Sequence, residues 1–207
     1  MFIVSLLQDP INTLGFILGL FVAITIHEFT HAWTAFRFGD ETAKLNGRLS
    51  LNPFVHLDPW GTLFLLMAGF GWGKPVPVNP LNFKNPRLDE FWVALSGPLS
   101  NLVLASLFAL LLRLIPAGPL FTLLALIIQL NLVLCVFNLL PIPPLDGSKI
   151  LWVLFPQIDP FALEQTGISI LFAILILSFL TNYPILSLII SPIISFLARL
   201  LGVPLAV

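Results

Sequence analysis

The stretch INTLGFILGLFVAITIHEFTHAWTAF, residues 11–36, holds one acidic residue, Glu28, no basic residue, and two histidines, His27 and His31. About twenty apolar residues cross a bilayer, so the run is long enough for a transmembrane helix. An ionisable group inside such a helix is costly, and its presence points to function. Helical positions i and i+4 stack on one face, so His27 and His31 present their imidazoles together at a spacing that lets them share a cation. Glu28 projects about 100° away, which suits a base acting on a metal-activated water better than a third ligand.

The rest of the chain carries the same signature. Of 207 residues, 58% are hydrophobic and 9% charged, with a mean hydropathy of +1.03. These values place the chain among membrane proteins. The net charge is −1 and the nine Lys and Arg form no dense run, so nucleic acid is excluded as a partner. The single Cys135 has no partner for an internal disulfide and reads as a small hydrophobe. The first ten residues, MFIVSLLQDP, lack the basic region and cleavage site of a signal peptide, so the N-terminus is expected to be retained.

Four more apolar runs, at 88–114, 120–140, 166–181 and 184–203, predict further spans, the last two separated by a break at Asn182 and Pro184. The run 61–72 is too short to cross. Gly73, Lys74, Pro75, Pro77 and Pro80 stop any helix there, which predicts a re-entrant or interfacial segment. A short helix is expected at 148–154, making five long spans and two partial ones. The expected fold is all-α: a polytopic transmembrane helical bundle with a short re-entrant, β-hairpin-like segment at the membrane interface. It is read as one domain over residues 1–207, with a catalytic core at about 11–155 and C-terminal membrane helices at about 166–203. Arg37, Lys44, Arg48, Lys74, Lys84, Arg87 and Lys149 fall at one end of these spans and only Arg113 at the other. Positive charge marks the cytosolic side, so the histidines are expected about 9 to 15 Å inside the cytosolic face.

A catalytic zinc takes three protein ligands and keeps a position for water, so a third ligand is needed. Glu41, His56, Asp58 and Asp146 are the candidates. The extended pattern HExxHxxGxxH fails, because Arg37 stands where its last histidine would be. Glu41 and Asp58 read as solvated loop acids, and His56 lies in a proline-punctuated loop. Asp146, in PPLDGSKIL, lies between an apolar span and a further hydrophobic helix, and suits either a ligand or the N-cap of that helix. Spacing alone leaves this choice open.

HEFTH at 27–31 together with NLLPIPPLDG at 138–147 resembles the site-2 protease family of intramembrane zinc metalloproteases, in particular its small bacterial and archaeal members without appended domains. GRLSLNPFVHLDPWGT (47–62), GWGKPVPVNP (71–80) and LSGPLSNL (95–102) extend the resemblance, which covers roughly residues 15–155. It implies Zn²⁺ held by His27, His31 and Asp146, with Glu28 as general base. Ser148 departs from the pattern, standing where many relatives have a second glycine.

Other residues acquire roles around such a site. The Asn138 amide is placed to donate to an oxyanion, as the resemblance also suggests, or it simply ends its helix ahead of Pro141. Asn131 falls on the same helical face, and the pair could line a wet interior. Gly97, Asn101 and Ala105 form a small-residue stripe for close helix packing, with Asn101 either bridging helices or contacting substrate. Val76 and Val78, alternating with prolines, offer an extended edge to an unwound substrate, or belong to a rigid interfacial loop. Trp60, Trp72 and Trp92 read as interface anchors. The expected activity is hydrolysis of peptide bonds in or near the transmembrane segment of another protein, by a multi-pass protein of a prokaryotic cell membrane. The expected partners are that substrate and the lipid bilayer, and the rival reading is a metal-ion transporter using the same His, Glu and Asp cluster.

Overall fold

The computed structural model describes residues 9–68, 71–157, 159–181 and 183–204. Most of the stretch behind the retained N-terminus, residues 1–8, and Asn182 of the expected break lie outside the described residues. The elements in chain order are α1 (Pro10–Arg37), α2 (Thr42–Leu45), α3 (Pro59–Ala68), α4 (Pro86–Leu112), α5 (Pro119–Asn138), α6 (Ser148–Leu154), α7 (Pro160–Thr181) and α8 (Ile185–Leu201), with single 3₁₀ turns at Pro53–Val55 and Pro80–Asn82.

Helix boundaries follow local chemistry. Asp9 caps α1 by accepting from the backbone N–H groups of Ile11 and Asn12, and Pro10 takes the first turn, where its missing N–H costs nothing. Past the last turn, Gly39 has φ of +105°, a conformation that side-chain-bearing residues avoid, and the chain turns away. α3, α4, α5 and α7 also begin at prolines.

α1, α4 and α5 pack against one another and form the centre of the protein. Small residues permit the close approach: a Cβ on Gly19 would stand 3.2 Å from the Ile127 Cα of α5. Small and large side chains interlock in the main apolar cluster, where Ala105 and Ala109 of α4 and Ile128 and Leu132 of α5 meet Ile194 and Ala198 of α8. α7 packs chiefly on α8.

The chain is a multi-pass membrane protein. Among the described residues three helices, α1, α4 and α5, are long and apolar enough to cross a membrane. The sequence reading expected five. In the C-terminal pair, α7 has 22 residues, two more than α5, and α8 has 17. At 1.5 Å per residue α7 covers about 33 Å and α8 about 25 Å, against a bilayer core of about 30 Å.

The segment expected to be hairpin-like is an extended strip over 71–79, joined to the preceding loop by one antiparallel bridge, Leu57 to Gly73, and no strand occurs among the described residues. Pro75, Pro77 and Pro80 lack the N–H groups that a ladder would need. Two buried charged residues pin the strip instead. Asp40, fully buried beyond α1, accepts from the Asn79 backbone N–H at 2.8 Å and the Asn82 amide at 2.7 Å. Burial works against its charge, but these bonds and those from Thr42 prevail and hold the carboxyl below its ordinary range. Arg48 holds the other end of the strip.

Candidate active site

His27 and His31 face α4 and the loop after α5. The His27 Nε2 lies 3.1 Å from Asp146 Oδ2, the His31 Nε2 lies 3.3 Å from the same oxygen, and the two Nε2 atoms are 3.0 Å apart. Both imidazoles are buried. Their other nitrogens are occupied: His27 Nδ1 meets Asn101 Oδ1 at 2.7 Å, and His31 Nδ1 meets the Val93 carbonyl at 2.7 Å. The orientation of the Asn101 amide is fixed in turn, because its Nδ2 donates to the Ala23 carbonyl at 3.0 Å and to Asn131 Oδ1 at 2.9 Å. Asn131 closes the series by donating to the Ile127 carbonyl at 2.8 Å.

This wiring determines what the centre holds. Oxygen partners at both Nδ1 atoms accept only, so each Nδ1 carries the proton. In neutral rings so protonated, both Nε2 lone pairs would point at each other and at a carboxylate oxygen that is itself buried without a hydrogen-bond donor. Three electron-rich atoms so placed repel unless a cation joins them. Two imidazoles and a carboxylate, each backed by a hydrogen-bonded framework, are a donor set that fits zinc and leaves a further position open.

Two glycines make the convergence possible. On α4, a Cβ at Gly97 would overlap His31 Nε2 and lie 2.8 Å from His27 Cε1. After α5, the loop 139–147 folds back on the helix end, with Gly147 N–H donating to the Asn138 carbonyl at 2.7 Å. A Cβ at Gly147 would overlap the carbonyls of Leu139 and Leu140. Its φ of −58° is ordinary, so this position needs glycine for space and not for backbone freedom. α6 has no side-chain cap, so Asp146 does not serve as its N-cap and its carboxylate turns to the histidines.

Glu28 and Asn138 line a cavity of about 1220 Å³ together with the two histidines and Asp146. One Asn138 Nδ2 hydrogen goes to the Leu134 carbonyl at 2.9 Å, leaving the second free to turn inward. Val76 and Val78 line the same cavity. The Glu28 Oε1 lies 3.7 Å from where a Gly73 Cβ would stand, so the extended strip runs beside the carboxylate.

The other candidates have different work. His56 is fully buried, its ring held between the Ser50 carbonyl at 2.7 Å and Arg48 at 3.4 Å. Glu41 pairs with Lys44 at the surface, and Asp58 accepts from the Gly61 N–H at 2.8 Å. Asn101, expected as a possible substrate contact, is corrected here: it is fully buried and its amide is engaged by His27, Ala23 and Asn131, leaving no group for a substrate. Asn131 is buried in the same series and lines no wet interior. Sequence reasoning missed the Val93 carbonyl and the Glu90–Lys149 ion pair, which ties α4 to the first turn of α6 behind Asp146. A main-chain carbonyl leaves no mark in sequence. The repeat Gly97, Asn101, Ala105 did mark the face of α4 that meets the histidines.

Comparison with known proteins agrees with this geometry. The profile described as peptidase family M50 matches residues 15–118 and 113–180. YwhC of Bacillus subtilis, named as a candidate zinc metalloprotease, is 48% identical over 161 residues, which cover 72% of this chain and 74% of that protein. Rip2 of Mycolicibacterium smegmatis, named in the same terms, is 35% identical over 163 residues, covering 73% of this chain and 61% of the relative. Rip2 of Mycobacterium tuberculosis is 38% identical over 141 residues, covering 63% of this chain and 53% of the relative. No solved structure matches the chain. With a histidine pair and a carboxylate converging in a helical membrane protein, and a family profile spanning both pieces of chain that supply them, the chain belongs to peptidase family M50, the site-2 proteases, and is a zinc metalloprotease.

Proposed function

We propose that the protein is an intramembrane endopeptidase that cuts peptide bonds in or beside the transmembrane segment of another protein, in the manner of regulated intramembrane proteolysis. The observation that carries this reading is one continuous cavity, with a metal-ligand cluster and the Glu28 carboxylate at one wall and apolar side chains such as Leu130, Val133, Leu171 and Leu175 along the rest. A soluble peptide gains little from such walls, whereas the side chains of a membrane segment match them.

His27, His31 and Asp146 would hold the zinc. When bound, zinc supplies a Lewis acid that polarises the scissile carbonyl and makes water acidic enough to ionise near neutrality. Glu28 takes the proton from the attacking water and returns it to the leaving nitrogen. The free Asn138 N–H donates to the oxygen that gains charge as the carbonyl becomes tetrahedral. Asn101 and the Val93 carbonyl keep both imidazoles in the tautomer that binds metal.

The substrate reaches the site unwound, because a helix keeps its carbonyls bonded and shielded. Val76 and Val78 suit an extended partner: their backbone groups make no hydrogen bond among the described residues, and both residues line the cavity. The site lies toward the cytosolic face. Arg37, Lys44, Arg48, Lys74, Arg87 and Lys149 gather at that end of the helices, while Arg113, against the Leu201 carbonyl at 3.4 Å, and Arg199 in the last turn of α8 sit at the other.

The test is incubation of purified protein with a panel of single-span membrane proteins, with and without chelator, beside Glu28→Gln. Cleavage is expected from wild type, stopped by chelator, and reduced by at least about 1000-fold in Glu28→Gln with zinc still bound. Activity in metal-free protein, or undiminished activity in Glu28→Gln, would remove the reading.

A further inference from the structure

Arg48 is only 4% exposed, yet among the described residues no carboxylate lies within 4.0 Å of it. Burial disfavours its charge and Glu28 supports it only through space, so a large share falls to its hydrogen bonds. They go to the extended strip. Arg48 donates to the Pro75 carbonyl at 2.8 Å and also to the Lys74 carbonyl, and reaches His56 Nδ1 at 3.4 Å. His56 completes the clamp: its own carbonyl accepts from the Lys74 N–H at 2.8 Å, and its Nε2 donates to the Ser50 carbonyl at 2.7 Å. Leu57 bridges Gly73 next to it.

The clamp divides the strip. Lys74 and Pro75 have their polar backbone groups taken up by His56 and Arg48, and Asn79 is held by Asp40 at the far end. Between these anchors the N–H and C=O groups of Val76 and Val78 make no hydrogen bond among the described residues, while Pro75 and Pro77 have no N–H to offer. The open stretch is therefore three residues long and begins two residues after the first anchored carbonyl. Gly73, inside the anchored part, lies beside the Glu28 carboxylate.

We propose that Arg48 is a positioning residue that sets the register of the bound substrate: by fixing where the strip's free backbone groups begin relative to Glu28, it selects which peptide bond lies at the metal centre. The proposal rests on the reading that Val76 and Val78 take the substrate. A guanidinium suits the task because its planar fork holds two carbonyls in a fixed relation, which a flexible ammonium does not. Without it the strip can slide or rotate, and a peptide paired to it arrives at Glu28 in more than one register.

The experiment compares full-length wild type, Arg48→Gln and Arg48→Lys, loaded with zinc, on one single-span membrane protein that wild type cuts. Zinc content, KM, kcat and product masses are the readouts. Arg48→Gln is expected to raise KM by about tenfold, leave zinc content unchanged and spread cleavage to neighbouring bonds, with the surviving kcat within about threefold. Arg48→Lys keeps the charge and the fold and is expected to raise KM by about threefold with a partial spread of cut positions. A purely structural staple predicts less folded protein, with KM and cut position of the folded fraction unchanged, and that result in either variant overturns the proposal. If Arg48→Gln does not fold, Arg48→Lys with wild-type KM and a single cut position overturns it alone. Wild type that cleaves nothing sinks the function proposed above; wild type that cleaves beside indifferent variants sinks only the role of Arg48.

Discussion

On the helical side of the cavity, His27, Asn101 and Asn131 are bonded in series between α1, α4 and α5, every member buried. On the looped side, the strip 71–79 is held by Arg48 and His56 at 74–75 and by Asp40 at 79–82, with a stretch between that makes no hydrogen bond among the described residues. The first arrangement fixes the imidazole orientation, because every polar side-chain atom of the two asparagines and both Nδ1 atoms have a partner and the series is buried. The second fixes the position of a strip while leaving part of its backbone open. A metal centre demands the former and a site for varied peptides the latter, so damage to the two sides should register differently: all-or-none loss on the helical side and graded loss on the looped side.

The largest difference should come from Gly97→Ala. The added Cβ overlaps His31 Nε2, and backbone packing between α1 and α4 gives it little room to withdraw. Zinc content is expected to fall and peptide hydrolysis to drop at least about 100-fold, while circular dichroism still reports a helical protein. Full zinc occupancy in this variant would mean that the helices are looser than the geometry indicates.

A smaller effect on the same side is expected from Asn101→Leu, which removes the acceptor at His27 Nδ1 and the donor to Asn131 Oδ1. Zinc affinity, read by competition with a chelating dye, should fall about 10- to 100-fold. Asn101→Asp restores an acceptor at that nitrogen and should recover part of the affinity. Equal losses in the two variants would show that Asn101 matters only for packing.

On the looped side, Lys149→Met should act next. It strips the partner from Glu90, whose second carboxylate oxygen is already buried without a bond, and loosens α6 behind Asp146. A loss of about 1 to 3 kcal/mol in unfolding free energy is expected, with zinc affinity changing less than in Asn101→Leu.

The smallest effect concerns Asp40 and depends on pH. Its carboxyl is held below the ordinary range by the bonds from Thr42, Asn79 and Asn82, against the opposing effect of burial. A group whose folded pKa is depressed contributes stability fully above its unfolded value of about 4 and loses it as pH falls through the folded value. Asp40→Asn should therefore lower the thermal midpoint at pH 7, and the gap from wild type should narrow in acid below about pH 4. A gap that persists unchanged at low pH would assign the effect to lost shape and not to lost charge.

Much of this was legible in the chain. The histidine pair, Glu28 and the three long spans follow from local periodicity and apolar length, and α1, α4 and α5 begin and end within two residues of the runs read from sequence. The C-terminal pair was read from apolar length as two spans, and of these α7 has the length to cross while α8, at 17 residues, is the shortest of the long apolar helices. Asn101 was assigned to substrate or packing because nothing in its neighbours reveals that His27, 74 positions earlier, stands opposite. Arg48 passed as one more basic residue marking the cytosolic side, since burial of a charged group is invisible in composition.

By itself the sequence determined which residues carry chemistry and which helices hold them, since spacing along one helix and length across a bilayer are properties of a local stretch. Only the tertiary structure decided how those pieces meet: that Asp146 turns toward two imidazoles on α1, that Gly97 makes room for them, and that a buried guanidinium divides the strip beside Glu28. Those outcomes depend on approach between segments far apart in the chain, and distance in space is set by packing and by the need to satisfy buried polar groups, neither of which a short window of residues contains.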